Sequence, residues 1–181
     1  MTHEAEVIAA TQLWLEKAVI GLNLCPFAKA VHVKKQIRYV VSAATTADAL
    51  LEELMAELRK LQDTSPEEID TTLLIHPHVL TDFLDFNDFL DTVDIAVAEP
   101  EFGDEFQVAS LHPQYQFAGT AVDDIENYSN RSPYPTLHLL REESVDRAVD
   151  AFPDADRIPD TNVETLKQLG HEGWAKLGLS K

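Results

Sequence analysis

The segment TTLLIHP, residues 71–77, is apolar almost without interruption, the mark of a strand buried on both faces. Such a strand needs helices to cover it, and the chain supplies them on either side. Upstream, Leu50, Leu51, Leu54, Met55, Leu58 and Leu61 recur at helical spacing behind Thr45 and Thr46, which can cap that helix. Downstream, from about Asp82 to Ala98, Phe83, Phe86, Leu90, Val93 and Val97 repeat the pattern until Pro100 and Gly103 close it. QIRYVVS (36–42), FQVASLHP (106–113) and TLHLL (136–140) read as further strands. A first helix over 4–21 carries Ile8, Trp14, Leu15 and Val19 and ends at Gly21 and Pro26. Two more, roughly 142–151 and 162–177, flank a proline-bearing link.

Strand, helix, strand, helix, strand predicts two right-handed crossovers. The expected fold is a single α/β domain over 1–181 with a mostly parallel sheet of about four strands, flanked by helices. Residues 152–181 form a C-terminal link and helix packed on it. The fourth strand can pair either way. Residues 114–135, with Gly119, Asn130, Pro133 and Pro135, read as a long irregular connection, and such segments are usually functional or mobile.

Composition narrows the function. Of 181 residues 45% are hydrophobic, enough to fill a core. Lys plus Arg is 14 against 32 Asp plus Glu, a net charge of −18 that repels nucleic acid and anionic membrane surfaces alike. No apolar run approaches the length of a membrane span. The only cysteine is Cys25, so no intrachain disulfide forms, and MTHEAEVIAA does not read as a signal peptide. The expectation is a cytoplasmic protein that binds a small molecule, with its oligomeric state left open. Aspartates 82, 85, 88, 91 and 94 recur every third residue, a spacing that drifts round the polar helix face and marks a solvated surface.

Three of the nine prolines follow residues suited to nucleophilic or metal chemistry: Cys25-Pro26, His76-Pro77 and His112-Pro113. A residue before proline is pushed into an extended shape, and proline cannot donate to a strand ladder. His76 and His112 are therefore expected as the last residues of their strands, at the edge where parallel sheets bind ligands. Against this stands the plain reading of two histidines satisfied by backbone. Pro26 suits the first turn of a short helix, which would make Cys25 its cap, its thiol acidified by free N–H groups and by Lys29. The contrary reading is an inert buried cysteine. Asn130, Arg131 and Tyr134, on a stretch stiffened by Pro133 and Pro135, and Tyr115 beside His112 are candidate substrate contacts. For Arg131 an ion pair with a nearby carboxylate is the competing account.

GLNLCPFA, TTLLIHP, FQVASLHPQYQFAGT and NRSPYPTLHLLRE, in that order, resemble the bacterial family numbered 1415 among the domains of unknown function. The resemblance implies a stand-alone bacterial protein of this size and carries no catalytic assignment.

Four functions compete. Cys25, His76 and His112 as ligands would make a transition-metal site, zinc or iron, with an open position. Without metal, Cys25 would be a nucleophile, a histidine its base, and Arg131 or helix N–H groups an anion holder. Haem ligation through Cys25-Pro26 is a third. The fourth is a non-catalytic small-molecule or partner-binding module, in which 114–135 closes over the ligand and the three residues lie far apart. The first expectation is an enzyme of unknown specificity built on Cys25, His76 and His112.

Overall fold

The computed structural model describes residues 1–179. Helix α1 (His3–Trp14) runs directly into a π-helical turn, Leu15–Ile20. Helix α2 (Ala28–Val33) and strand β1 (Ile37–Val41) follow, then α3 (Ala47–Gln62), β2 (Thr71–Ile75) and α4 (Phe83–Val97). Strands β3 (Phe106–Leu111) and β4 (Thr136–Arg141) are separated by a stretch whose regular element is a 3₁₀ segment, Ile125–Asn130. Helices α5 (Glu142–Ala151) and α6 (Ile158–Ala175) end the chain.

The sheet order is β1-β2-β4-β3. β1 and β2 are parallel, and β4 runs antiparallel to both β2 and β3. The sheet is thus mixed, which corrects the mostly parallel expectation. The reason lies in the connection: residues 112–135 stay at the edge where β3 ends, so β4 starts there and must run back. β1, β2 and β3 still point the same way, and their carboxyl ends share one edge.

The pleat sorts side chains onto two faces. Val40, Leu74, Phe106, Val108, Leu137 and Leu139 meet α3 and α4 through Leu50, Leu54, Leu58, Leu61, Phe86 and Val93. Leu50, Leu54, Leu58, Leu74, Phe86, Leu137 and Leu139 are wholly buried, each stabilising the fold by roughly 1.5–3 kcal/mol. Thr46 caps α3 by accepting from Ala49 N–H, and Asp82 caps α4 by accepting from Leu84 and Asp85 N–H. The opposite face, Ile37, Tyr39, Val41, Leu73, Ile75 and Leu111, packs on α1 and its π turn through Val7, Trp14, Leu15, Ala18 and Val19. Gly21 follows that turn because a Cβ there would lie 2.3 Å from the Lys17 carbonyl oxygen.

At the far end of β4, Arg141 is buried, and its guanidinium donates to the carbonyls of Leu61, Thr64 and Ile69 at 2.8, 2.8 and 2.7 Å. It closes the C-terminus of α3 and the loop after it. Helix α6 breaks at Gly170 (φ 67°), and beyond the break His171 and Trp174 pack edge-on against Tyr128.

Candidate functional site

Thr136, the first residue of β4, stands opposite both Ile75 and Leu111. β2 and β3 therefore stop level with each other, and His76 and His112 leave them on either side of β4. The backbone N–H of His76 still donates to Pro135 O at 2.9 Å, and that of His112 to Asn130 O at 3.1 Å. Counting in twos from Leu74 and Phe106 puts both imidazoles on the α3–α4 face. There they rest on Phe86, with ring centres at 5.6 Å for His76 and 5.1 Å for His112.

Both histidines hold the β2–α4 turn. His76 Nδ1 lies 2.9 Å from Val79 O, so that nitrogen carries the proton and donates. Gln114 N–H donates to His112 Nδ1 at 3.0 Å, which leaves Nε2–H to donate to Leu80 O at 3.1 Å. Leu80 adopts φ 56°, a conformation costly for a branched side chain. The two donors thus bind consecutive carbonyls across a strained residue. Among the described residues His76 Nε2 remains a buried acceptor with no partner. Burial pushes the His76 imidazole down to about 4, and the neighbouring His112 adds to this. Burial lowers His112 too, against the pull of the Leu80 carbonyl and the Asp82 charge. Phe83 covers His112 edge-on at 5.4 Å and touches Tyr115 at 5.1 Å, and neither histidine is exposed.

Cys25 does not join them. It packs against Trp14, Leu15, Ala18 and Val19, the cluster that takes Ile37, Tyr39 and Leu111 from the other face of the sheet. Among the described residues no group of three or more His, Cys, Asp or Glu is placed to hold a metal ion. The metal set Cys25, His76 and His112 is therefore not assembled: strand parity sends both histidines to one face, and the cysteine belongs to the other. Nor is Cys25 a helix cap. α2 starts at Ala28 with Phe27 in the cap position. Burial raises the thiol pKa, outweighing the Phe27 and Ala28 N–H groups that draw it down. The acidified thiol expected from the sequence is replaced by a more basic one.

The other expected contacts are mostly structural. Arg131 donates to Tyr115 O at 3.0 Å and Val122 O at 2.6 Å and lies 4.5 Å over the Tyr128 ring. Its partners are carbonyls, neither a carboxylate nor an open anion site. Tyr134 packs toward Val7, Leu73 and Ile75, and its carbonyl accepts from Ser132 and Thr136. Tyr115 is fixed between Phe83 and Phe117.

The organiser of residues 113–135 is one that the sequence reading passed over. Asn127 is wholly buried; its Oδ1 accepts from Phe117 N–H and Thr120 Oγ1, and its Nδ2 donates to Ala121 O at 2.8 Å. So held, the segment forms one wall of a groove whose other wall is the start of α6. The groove encloses about 380 Å³ and is lined by Phe117, Thr120, Glu126, Ser129, Asn130, Ile158, Pro159, Asn162 and Val163. Asn130 is the one expected contact that lines it, its Nδ2 donating to Ser110 O at 3.3 Å. Asn162 ties α6 back to Leu24 O at 2.9 Å. No motif marks these residues; only the docking of α6 onto Ile125–Asn130 brings them together.

Fold and edge together define a mixed-sheet α/β domain in which a long segment at the strand carboxyl ends is closed off by the C-terminal helix. Residues 6–176 match the family described as "Protein of unknown function (DUF1415)", and the chain belongs to that family. No curated protein and no solved structure matches it. Among the described residues no helix is long and apolar enough to cross a membrane.

Proposed function

We propose that this protein is a cytoplasmic small-molecule-binding domain whose ligand occupies the groove between residues 117–130 and the first turns of α6. The observation that carries the reading is the groove itself, about 380 Å³, within the range of small-molecule sites and walled by the long connection between β3 and β4. Phe117, Ile158, Pro159 and Val163 offer an apolar body, while Thr120, Ser129, Asn130 and Asn162 add neutral polar groups that also bond within the fold, to Asn127, Asn130, Ser110 and Leu24. Glu126 is the one charged group in the lining, in a chain of net charge −18. Glu126 is already paired with Lys167 Nζ at 3.4 Å, so this chemistry favours a neutral ligand with an apolar portion. The test is saturation-transfer NMR with a fragment set against wild type and Val163→Trp, which fills the groove. Fragments that bind wild type and are lost in the variant support the reading. No binding at millimolar fragment, or binding equal in both proteins, refutes it.

A second reading keeps an enzyme, now centred on His76 and His112. It is favoured by the buried, uncharged His76 Nε2, which has no hydrogen-bond partner among the described residues and can take a proton or hydrogen bond from a substrate that reaches it. Diethyl pyrocarbonate separates the two readings. Modification of His76 within tenfold of the rate at exposed His78 supports access to the pair. A His76 that stays unmodified while His78 reacts fully counts against it.

A further inference from the structure

We propose that His3 and His78 form a two-imidazole site for a borderline divalent metal ion of the Zn²⁺, Ni²⁺ or Cu²⁺ class, separate from the groove and from the buried histidine pair. His3 is the first residue of α1 and His78 lies in the β2–α4 turn, yet their ring centres are 5.2 Å apart with planes tilted by 31°. Both residues are exposed, so an ion and its remaining water ligands have access.

The spacing fits the chemistry. A zinc–imidazole bond is about 2.0–2.1 Å, and a ring centre lies roughly 1 Å behind the ligating nitrogen. Two such rings at a tetrahedral angle have centres about 5 Å apart, which matches the separation of the His3 and His78 rings. Imidazole selects zinc, nickel and copper over the oxygen-seeking magnesium and calcium. The net charge of −18 draws a dication toward the surface.

Both ligands also stand on supported backbone, which lowers the ordering cost of binding. Val7, one turn after His3, is wholly buried against Leu73 and Ile75, and Thr2 Oγ1 caps the helix by accepting from Ala5 N–H. His78 sits between buried His76 and buried Val79, which are linked by the Nδ1···O bond, and follows Pro77. An ion bound here ties the start of α1 to the turn that His76 and His112 hold from beneath.

The experiment titrates the full chain with Ni²⁺ alone and then Zn²⁺ alone, following the imidazole ring signals by two-dimensional NMR. His3 and His78 are expected to respond together, with one midpoint, at one ion per chain. His3→Ala and His78→Ala should each weaken binding at least tenfold, while His171→Ala leaves it within twofold. Both substitutions are at exposed positions, and unchanged amide spectra will confirm the fold. Separate midpoints for the two rings, no response at millimolar ion, or a loss below twofold in either alanine variant would overturn the site.

Discussion

His76 and His112 belong to different strands, yet Phe86 carries both imidazoles, one at 5.6 Å and the other at 5.1 Å. Each is a neutral imidazole in the fold, one nitrogen donating to a backbone carbonyl and the other buried or already accepting a backbone N–H. Their folded pKa values lie below the ordinary value of about 6.5, that of His76 at about 4. The unfolded chain therefore binds more protons than the fold between these limits. The contribution of His76 is fully present above pH 6.5 and is lost as the pH falls toward 4, on the order of 3 kcal/mol in all. Urea unfolding of wild type and His76→Gln across pH 7.5–4 checks this. The difference between the two proteins should change over that window; a constant difference would show that His76 does not titrate with unfolding.

Cys25 should be a slow thiol. Its pKa is raised by burial, so the thiolate fraction at neutral pH is below that of a free cysteine. Iodoacetamide alkylation of the native protein at pH 7.5 is expected to run at least tenfold slower than alkylation in urea, with the rate still climbing above pH 9. A native rate equal to the unfolded one would restore the activated-thiol account.

Asn127 is the test of how the groove is built. Asn127→Leu removes three hydrogen bonds and strands Phe117 N–H and the Ala121 carbonyl. A loss of roughly 2–3 kcal/mol is expected, together with much faster amide exchange at Phe117 and weaker fragment binding. Exchange at Phe117 unchanged from wild type would mean that the segment is held by other contacts.

Arg141→Leu leaves the carbonyls of Leu61, Thr64 and Ile69 without their donor. Guanidinium unfolding should show a loss of about 2–4 kcal/mol. Arg141→Lys, with a single ammonium in place of the planar fork, should recover only part of it. Full recovery by lysine would show that charge rather than fork geometry matters there.

Gly21→Ala and Gly173→Ala should part company. The first drives a Cβ into the Lys17 carbonyl at 2.3 Å, backbone that cannot yield without undoing the π turn; the second meets the Leu169 side chain at 2.6 Å, which can rotate. Thermal melts should place Gly21→Ala well below wild type and Gly173→Ala within a few degrees of it.

The edge of the sheet was legible because proline leaves a chemical mark: the X-Pro steps put His76 and His112 within one residue of the strand ends. Parity within TTLLIH and FQVASLH also fixes the face each histidine takes. Cys25 lies in no strand, so no such count applies, and its place against Trp14 and Val19 follows from tertiary packing alone. TLHLL reads as a strand but contains nothing that names its partners or direction, which is why the sheet came out mixed. The groove was invisible for a similar reason. Asn127 in IENYSN is an ordinary polar residue until Phe117, Thr120 and Ala121 fold around it. His3 and His78 become a pair only once α1 crosses the sheet.

Because the antiparallel strand Thr136–Arg141 fills the gap between β2 and β3, a central strand of the sheet is the last of the four to leave the ribosome. Until it arrives, β3 has no ladder to join and β2 offers a bare edge. Nascent chains shorter than about residue 141 should therefore be protease-sensitive and prone to associate, with protection appearing abruptly once that strand is free to insert.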